Sequence, residues 1–131
     1  MSQENVNRFR ESIERWNAGD FEGALRYFHP EIRFEHRLVE LQGEVTGIDA
    51  VRDWFVDAIN LFDRWTVDCD DFRDLGDRVL ALGTVRALGK ESGVEVEMPF
   101  TALAEFKDGL VTDFTDHGDR EKALEAAGLR E

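Results

Sequence analysis

The stretch FHPEIRFEHR, from Phe28 to Arg37, decides how the chain is read. As a strand over residues 31–38 it alternates, with Ile32, Phe34, His36 and Leu38 on one face and Arg33, Glu35 and Arg37 on the other. One ionisable group, His36, therefore points where the apolar side chains point.

On the N-terminal side the period is helical. Residues 2–18 place Val6, Phe9, Ile13 and Trp16 at spacings of three and four, and Gly19 follows as a stop. Asp20 can cap a second, shorter helix in which Phe21, Ala24, Leu25 and Phe28 share a face, with Pro30 ending it. On the C-terminal side, LQGEVTG is a glycine-bounded turn with room for a short hairpin arm. A third helix fits residues 49–62, where Val51, Trp54, Phe55, Ala58, Ile59 and Phe62 form a wide apolar face. From Trp65 the period changes to two, predicting strands over 65–73, 78–88, 94–106 and 110–117, separated by DLGD, GKESG and KDG. This is a meander of antiparallel strands. Asp119 caps a terminal helix, REKALEAAG, that stops at Gly128. Helices segregated from strands indicate an α+β domain with helices on one face of the sheet. Pro99, inside a strand, requires a bulge or an edge there.

Composition narrows the function. A chain of 131 residues, 42% hydrophobic and 11% aromatic, suits one core, so a single domain over residues 1–131 is expected. A net charge of -13, from 29 acidic against 16 basic residues, disfavours nucleic acid and anionic membrane surfaces as partners. The lone cysteine, Cys69, has no intramolecular disulfide partner, and no segment reads as a signal peptide or spanning helix. The simplest expectation is a cytoplasmic protein.

The segments NAGDFEGALRYFHPEIRFE, GIDAVRDWF, FRDLGDRVLALG and DREKALEAAGL together resemble the SnoaL-like branch of the NTF2-like superfamily. The resemblance covers nearly the whole chain. It implies a strongly curved, mixed but mostly antiparallel sheet wrapped around three helices to form a conical cavity, the ketosteroid isomerase and polyketide cyclase fold. It also implies a homodimer, and an apolar pocket for a small hydrophobic molecule with a few polar groups at its floor. Fold does not fix function, so the floor has to be read residue by residue.

With the resemblance setting which strand face is inward, Phe34 and His36 point into the cavity from the first strand. Met98, Phe100, Ala102 and Ala104 do so from the long strand, and Phe114, Asp116 and Gly118 from the last. Trp16 and Trp54 add to the wall from their helices. Glu95, Glu97, Thr101 and Glu105 take the other face. His36 and Asp116 are the two polar exceptions on the inward list. A carboxylate beside an imidazole fixes its tautomer and stabilises imidazolium, which gives a unit able to move a proton. Either His36 is the base oriented by Asp116, or Asp116 is the base and His36 the donor. The structural alternative is a core histidine satisfied by a backbone carbonyl, with Asp116 at the cavity mouth.

Departures from related active sites guide the choice of chemistry. Ketosteroid isomerases pair an Asp base with an oxyanion hole of Tyr and protonated Asp. Here the alignment puts His36 at the base position and Ser12 and Ala102 at the other two, so the oxyanion hole is missing. Strand 94–106 has neither Arg nor Asp, unlike the epoxide hydrolases that the family includes. The cyclases use an acid on the last strand, and Asp116 lies in a comparable place. Neither His29 nor His117 gives a metal-ligand spacing, and no metal or cofactor is expected. Cys69, sharing a face with Trp65 and Val67, reads as a small buried hydrophobe. Two functions stand: cofactor-free acid/base catalysis of the cyclase or isomerase type by His36 and Asp116, or a non-catalytic ligand-binding or dimerisation module.

Overall fold

The computed structural model describes residues 2–36 and 44–129. The expected strand residues Arg37 and Leu38, and Leu41, Gln42 and Gly43 of the turn, lie outside them. In order, the elements are α1 (Ser2–Asn17), α2 (Phe21–Leu25), β1 (Phe28–Glu35), β2 (Glu44–Thr46), α3 (Ile48–Leu61), β3 (Phe62–Asp74), β4 (Arg78–Gly89), β5 (Glu95–Lys107), β6 (Leu110–Asp116) and α4 (Arg120–Ala126).

The strands form an open six-stranded sheet in the order β2-β1-β6-β5-β4-β3. The meander from β3 to β6 is antiparallel throughout, whereas β1 runs parallel to β6. The sheet is therefore mixed and mostly antiparallel, as the resemblance implies. Helix α3 packs against both β1 and β3, although three strands separate them in the sheet. A flat sheet would not let one helix touch both, so the sheet curls around α3.

One core fills the concave side. Val6 and Phe9 of α1, Val51, Trp54, Phe55 and Ala58 of α3, and the inward residues of the strands are buried together. Each large side chain fully buried there contributes about 1.5–3 kcal/mol. The helices do not all share this face, however. α4 covers the opposite one, where Ala123, Leu124 and Ala127 pack on Leu80 and Leu82. The expectation of helices on one face is corrected accordingly. Alternation along β4 sends Val79, Ala81 and Val85 to one core and Leu80 and Leu82 to the other.

Two local expectations also change, and one open alternative is decided. α2 ends at Leu25 rather than running to Phe28, because the backbone of Tyr27 joins the sheet: the Val111 N–H donates to its carbonyl at 2.8 Å. Pro30 therefore lies within β1. Second, β3 starts at Phe62 without an intervening turn, and its register shifts twice, between Phe62 and Arg64 and again between Cys69 and Asp71. Cys69 opposes Gly83 and Asp71 opposes Leu82, so Asp70 is an extra residue, and Phe72 joins the same core as Val67 and Cys69. Third, Pro99 keeps normal register opposite Thr84, while pairing with β6 begins only at Ala102. Pro99 is thus at an edge rather than a bulge.

The bulge dictates Gly83. A Cβ there would stand 2.1 Å from the Asp68 carbonyl oxygen and 2.6 Å from Cys69 Cα, both backbone atoms that cannot swing away. Gly83→Ala is expected to lower stability by about 1–3 kcal/mol, the usual cost of forcing atoms into a packed site. Urea unfolding of the two proteins checks this, and equal midpoints would show that β3 can slide off the bulge.

Candidate active site

The parallel pair brings together two residues far apart in sequence. Phe34 is in register with Phe114 and Glu35 with Thr115, so His36, one step past the end of β1, arrives beside Asp116, the last residue of β6. The Phe34 and Phe114 rings stack with centroids 4.7 Å apart. On the outer face Arg33 donates to both Asp113 carboxylate oxygens, at 2.7 and 3.0 Å, which clamps the same two strands from the other side.

His36 Nε2 lies 3.3 Å from Asp116 Oδ2, and both side chains are buried. The other carboxylate oxygen, Oδ1, is held by three donors: the Thr101 N–H at 3.3 Å, the Thr101 hydroxyl at 3.1 Å and the Gly118 N–H at 3.0 Å. These fix Asp116 and explain why Thr101, expected on the outward face, is buried. Gly118 is itself exposed, in a turn with φ +73°, and meets Asp116 through its backbone rather than facing the cavity.

His36 is one wall of a pocket of about 60 Å³. Of the residues placed there from sequence, Trp16, Phe34, Trp54, Phe100 and Phe114 line it. Met98 and Ala102 do not: Met98 packs against the outside of the core and Ala102 is fully buried beneath it. Asp116 stands behind His36 and reaches the pocket only through it. Phe9, Phe28, Phe55 and Trp65 also line the chamber. The His36 ring sits 4.7 Å from Trp54 and 5.6 Å from Trp65, centroid to centroid. Ser12 is on the wall too, but its hydroxyl donates to the Ala24 carbonyl at 3.0 Å. Trp16 donates its indole N–H to the Trp65 carbonyl at 2.8 Å. Two buried polar atoms have no hydrogen-bond partner among the described residues, His36 Nδ1 and Trp54 Nε1.

Comparison with known proteins matches the SnoaL-like domain over residues 9–114. The chain belongs to the SnoaL-like family. Among solved structures, an NTF2-like protein of unknown function from Burkholderia pseudomallei is 25% identical, with a TM-score of 0.81 over 93% of this chain and 95% of that one. TerC, co-crystallised with polyporic acid, is 21% identical with a TM-score of 0.79, covering 95% and 98%. A protein with a ketosteroid isomerase-like fold from Catenulispora acidiphila, in complex with trimethylamine, is 15% identical with a TM-score of 0.77, covering 99% and 96%. No curated protein matches the sequence. No helix among the described residues is long and apolar enough to cross a membrane.

In this SnoaL-like chain two opposing effects act on His36. Burial disfavours imidazolium and Asp116 favours it, and burial is the larger, so the pKa lies below its ordinary value of about 6.5. At neutral pH the ring is then neutral. With its proton on Nε2, facing Asp116, the ring leaves Nδ1 buried and without a hydrogen-bond partner among the described residues. Cys69 is no competing nucleophile: burial pushes its thiol up to about 12. Among the described residues no group of three or more His, Cys, Asp or Glu side chains is placed to hold a metal ion.

Sequence reasoning left out Phe9, Phe28, Phe55 and Trp65 from the wall, although Trp65 shares a face with Val67 and Cys69. The signal was present in the alternation, which identifies a face but not the depth along it.

NMR titration of His36 should give a midpoint below 6.5, falling further in Asp116→Asn because the favourable charge is gone. A midpoint unmoved by that substitution would mean the two groups do not interact electrostatically. The same shift sets a pH dependence of stability. The unfolded chain protonates His36 more readily than the folded one, so this contribution is constant above about pH 6.5 and is lost as the pH falls below it.

Proposed function

We propose that the pocket binds a small hydrophobic molecule and that His36, oriented by Asp116, transfers a proton on it without a cofactor, in the manner of a cyclase or isomerase. The observation that carries this reading is the buried 3.3 Å contact between His36 and Asp116. Burial of a titratable pair is costly, and here it leaves a neutral imidazole, one nitrogen unpaired, in the wall of an apolar chamber. Such an arrangement suits removal of a proton α to a carbonyl. The C–H bond breaks, its electrons pass to the carbonyl as an enolate, and the proton goes to Nδ1, forming an imidazolium that Asp116 stabilises. Returning that proton to carbon or oxygen completes the reaction. His36 takes the base role in preference to Asp116, which does not line the chamber. TerC, co-crystallised with polyporic acid, supports small-molecule binding in a related fold.

The size of the chamber favours a second reading. At about 60 Å³ it is well below the roughly 300–1,000 Å³ of drug-sized sites. In that reading aromatic side chains fill the cone, or a compact ligand is held without reaction, and the outer sheet face forms a homodimer.

Deuterium exchange into 1-indanone in D2O, followed by NMR, separates the two. The proton-transfer reading expects exchange above the buffer rate, reduced about 10²–10⁴-fold in His36→Gln, the usual range for loss of a general base. Wild-type exchange no faster than that of His36→Gln would leave the binding-module reading in its place.

A further inference from the structure

Of the three hydrogen bonds that end on Asp116 Oδ1, two come from a single residue. Thr101 donates its N–H at 3.3 Å and its hydroxyl at 3.1 Å, and the Gly118 N–H supplies the third. Thr101 lies on β5 between Phe100 and Ala102, which both belong to the core on the concave side. By alternation it shares the other face with Leu103, which packs on the layer under α4, and it stands opposite Leu82 of that layer. Thr101 is only 2% exposed and does not line the chamber. A hydroxyl so deeply buried needs a partner, and a carboxylate oxygen is a stronger one than a carbonyl.

The two N–H donors belong to the backbone and come with the fold whatever the side chains are. The Thr101 hydroxyl is the one donor of the three that a side chain supplies. Valine has the same branched shape and lacks it. With all three donors on Oδ1, the oxygen left to meet His36 Nε2 is Oδ2, at 3.3 Å. We infer that Thr101 is a positioning residue of the dyad, its hydroxyl holding the Asp116 carboxylate in the rotation that presents Oδ2 to His36. The inference rests on the proposed function in taking His36 and Asp116 as the reacting pair. It adds a residue that belongs to the opposite face of the sheet and acts on the imidazole through Asp116.

NMR titration of His36 in wild type, Thr101→Val, Asp116→Asn and the double variant is the test. The aromatic rings beside the imidazole, Phe34, Trp54 and Trp65, are uncharged, so the midpoint follows the placing of the Asp116 charge. Thr101→Val should lower the midpoint by part of the drop that Asp116→Asn produces, because a carboxylate facing a methyl group turns away from the ring. In the Asp116→Asn background there is no charge to misplace, and Thr101→Val should move the midpoint no further. Thr101→Ser, which keeps the hydroxyl, should restore the wild-type value. A change of packing alone would move the midpoint equally in both backgrounds. A midpoint that does not fall in Thr101→Val, or that falls as far in the Asp116→Asn background, overturns the inference. If Thr101→Val does not fold, Thr101→Cys, a weaker donor, takes its place in the same comparison. None of these measurements needs a substrate. A midpoint that falls as expected while 1-indanone does not exchange leaves Thr101 positioning a pair that moves no proton on the ketone. Exchange with an unmoved midpoint removes the role of Thr101 and leaves proton transfer standing.

Discussion

The parallel pairing of β1 with β6 is the constraint on which the rest of the molecule depends. Every other strand pair in the sheet is antiparallel, and the meander could form by local hairpins alone. β1 must instead find a strand some 80 positions away, and its docking is secured from both faces: Arg33 on Asp113 outside, Phe34 on Phe114 inside. The Arg33 guanidinium is driven to a higher pKa by the carboxylate it grips. A stacked aromatic pair adds about 0.5–1.5 kcal/mol beyond the area it buries. The same register that stacks the two rings delivers His36 to Asp116, so the stability of the sheet and the composition of the site come from one alignment.

Within the site, desolvation outweighs charge attraction. A histidine beside a carboxylate is often read as an ion pair, but here the environment is aromatic and buried, and burial lowers the pKa of the imidazole. Asp116 is anchored by three donors on one oxygen and spends the other on orienting the ring. The dyad is therefore held firmly on its carboxylate side, while the imidazole keeps one nitrogen unbonded among the described residues.

Alternation made much of this legible. Ile32, Phe34 and His36 share an inward face because nothing interrupts the period between them, and Asp116 follows Phe114 by two on a regular strand. Period-two reading fails where the backbone departs from it. The extra residue at Asp70 transfers Phe72 to the other parity. Gly118, two beyond Asp116, falls past the end of β6 and lies in solvent. Nor does a period say how deep along a strand a residue sits, which is why Met98 and Ala102 share the parity of Phe100 without touching the pocket. α2 ended early for another reason: a helical face and a strand start are equally compatible with Phe28, and only the demand of β6 for a backbone partner decides between them. The donor on Trp54 was hidden because a tryptophan on an apolar stripe reads as packing until its indole nitrogen is seen without a bond.

The division of β4 between two cores has a bearing on how such a chain can change over time. Leu80 and Leu82 anchor the sheet to α4 from behind, while Val79, Ala81 and Val85 face the chamber side. A lineage can therefore exchange inward residues, altering the shape and polarity of the cone, while the backing layer continues to hold the sheet together. Mutational robustness and chemical novelty are assigned to opposite faces of a single strand, and that separation lets one scaffold drift between ligands without first becoming unstable.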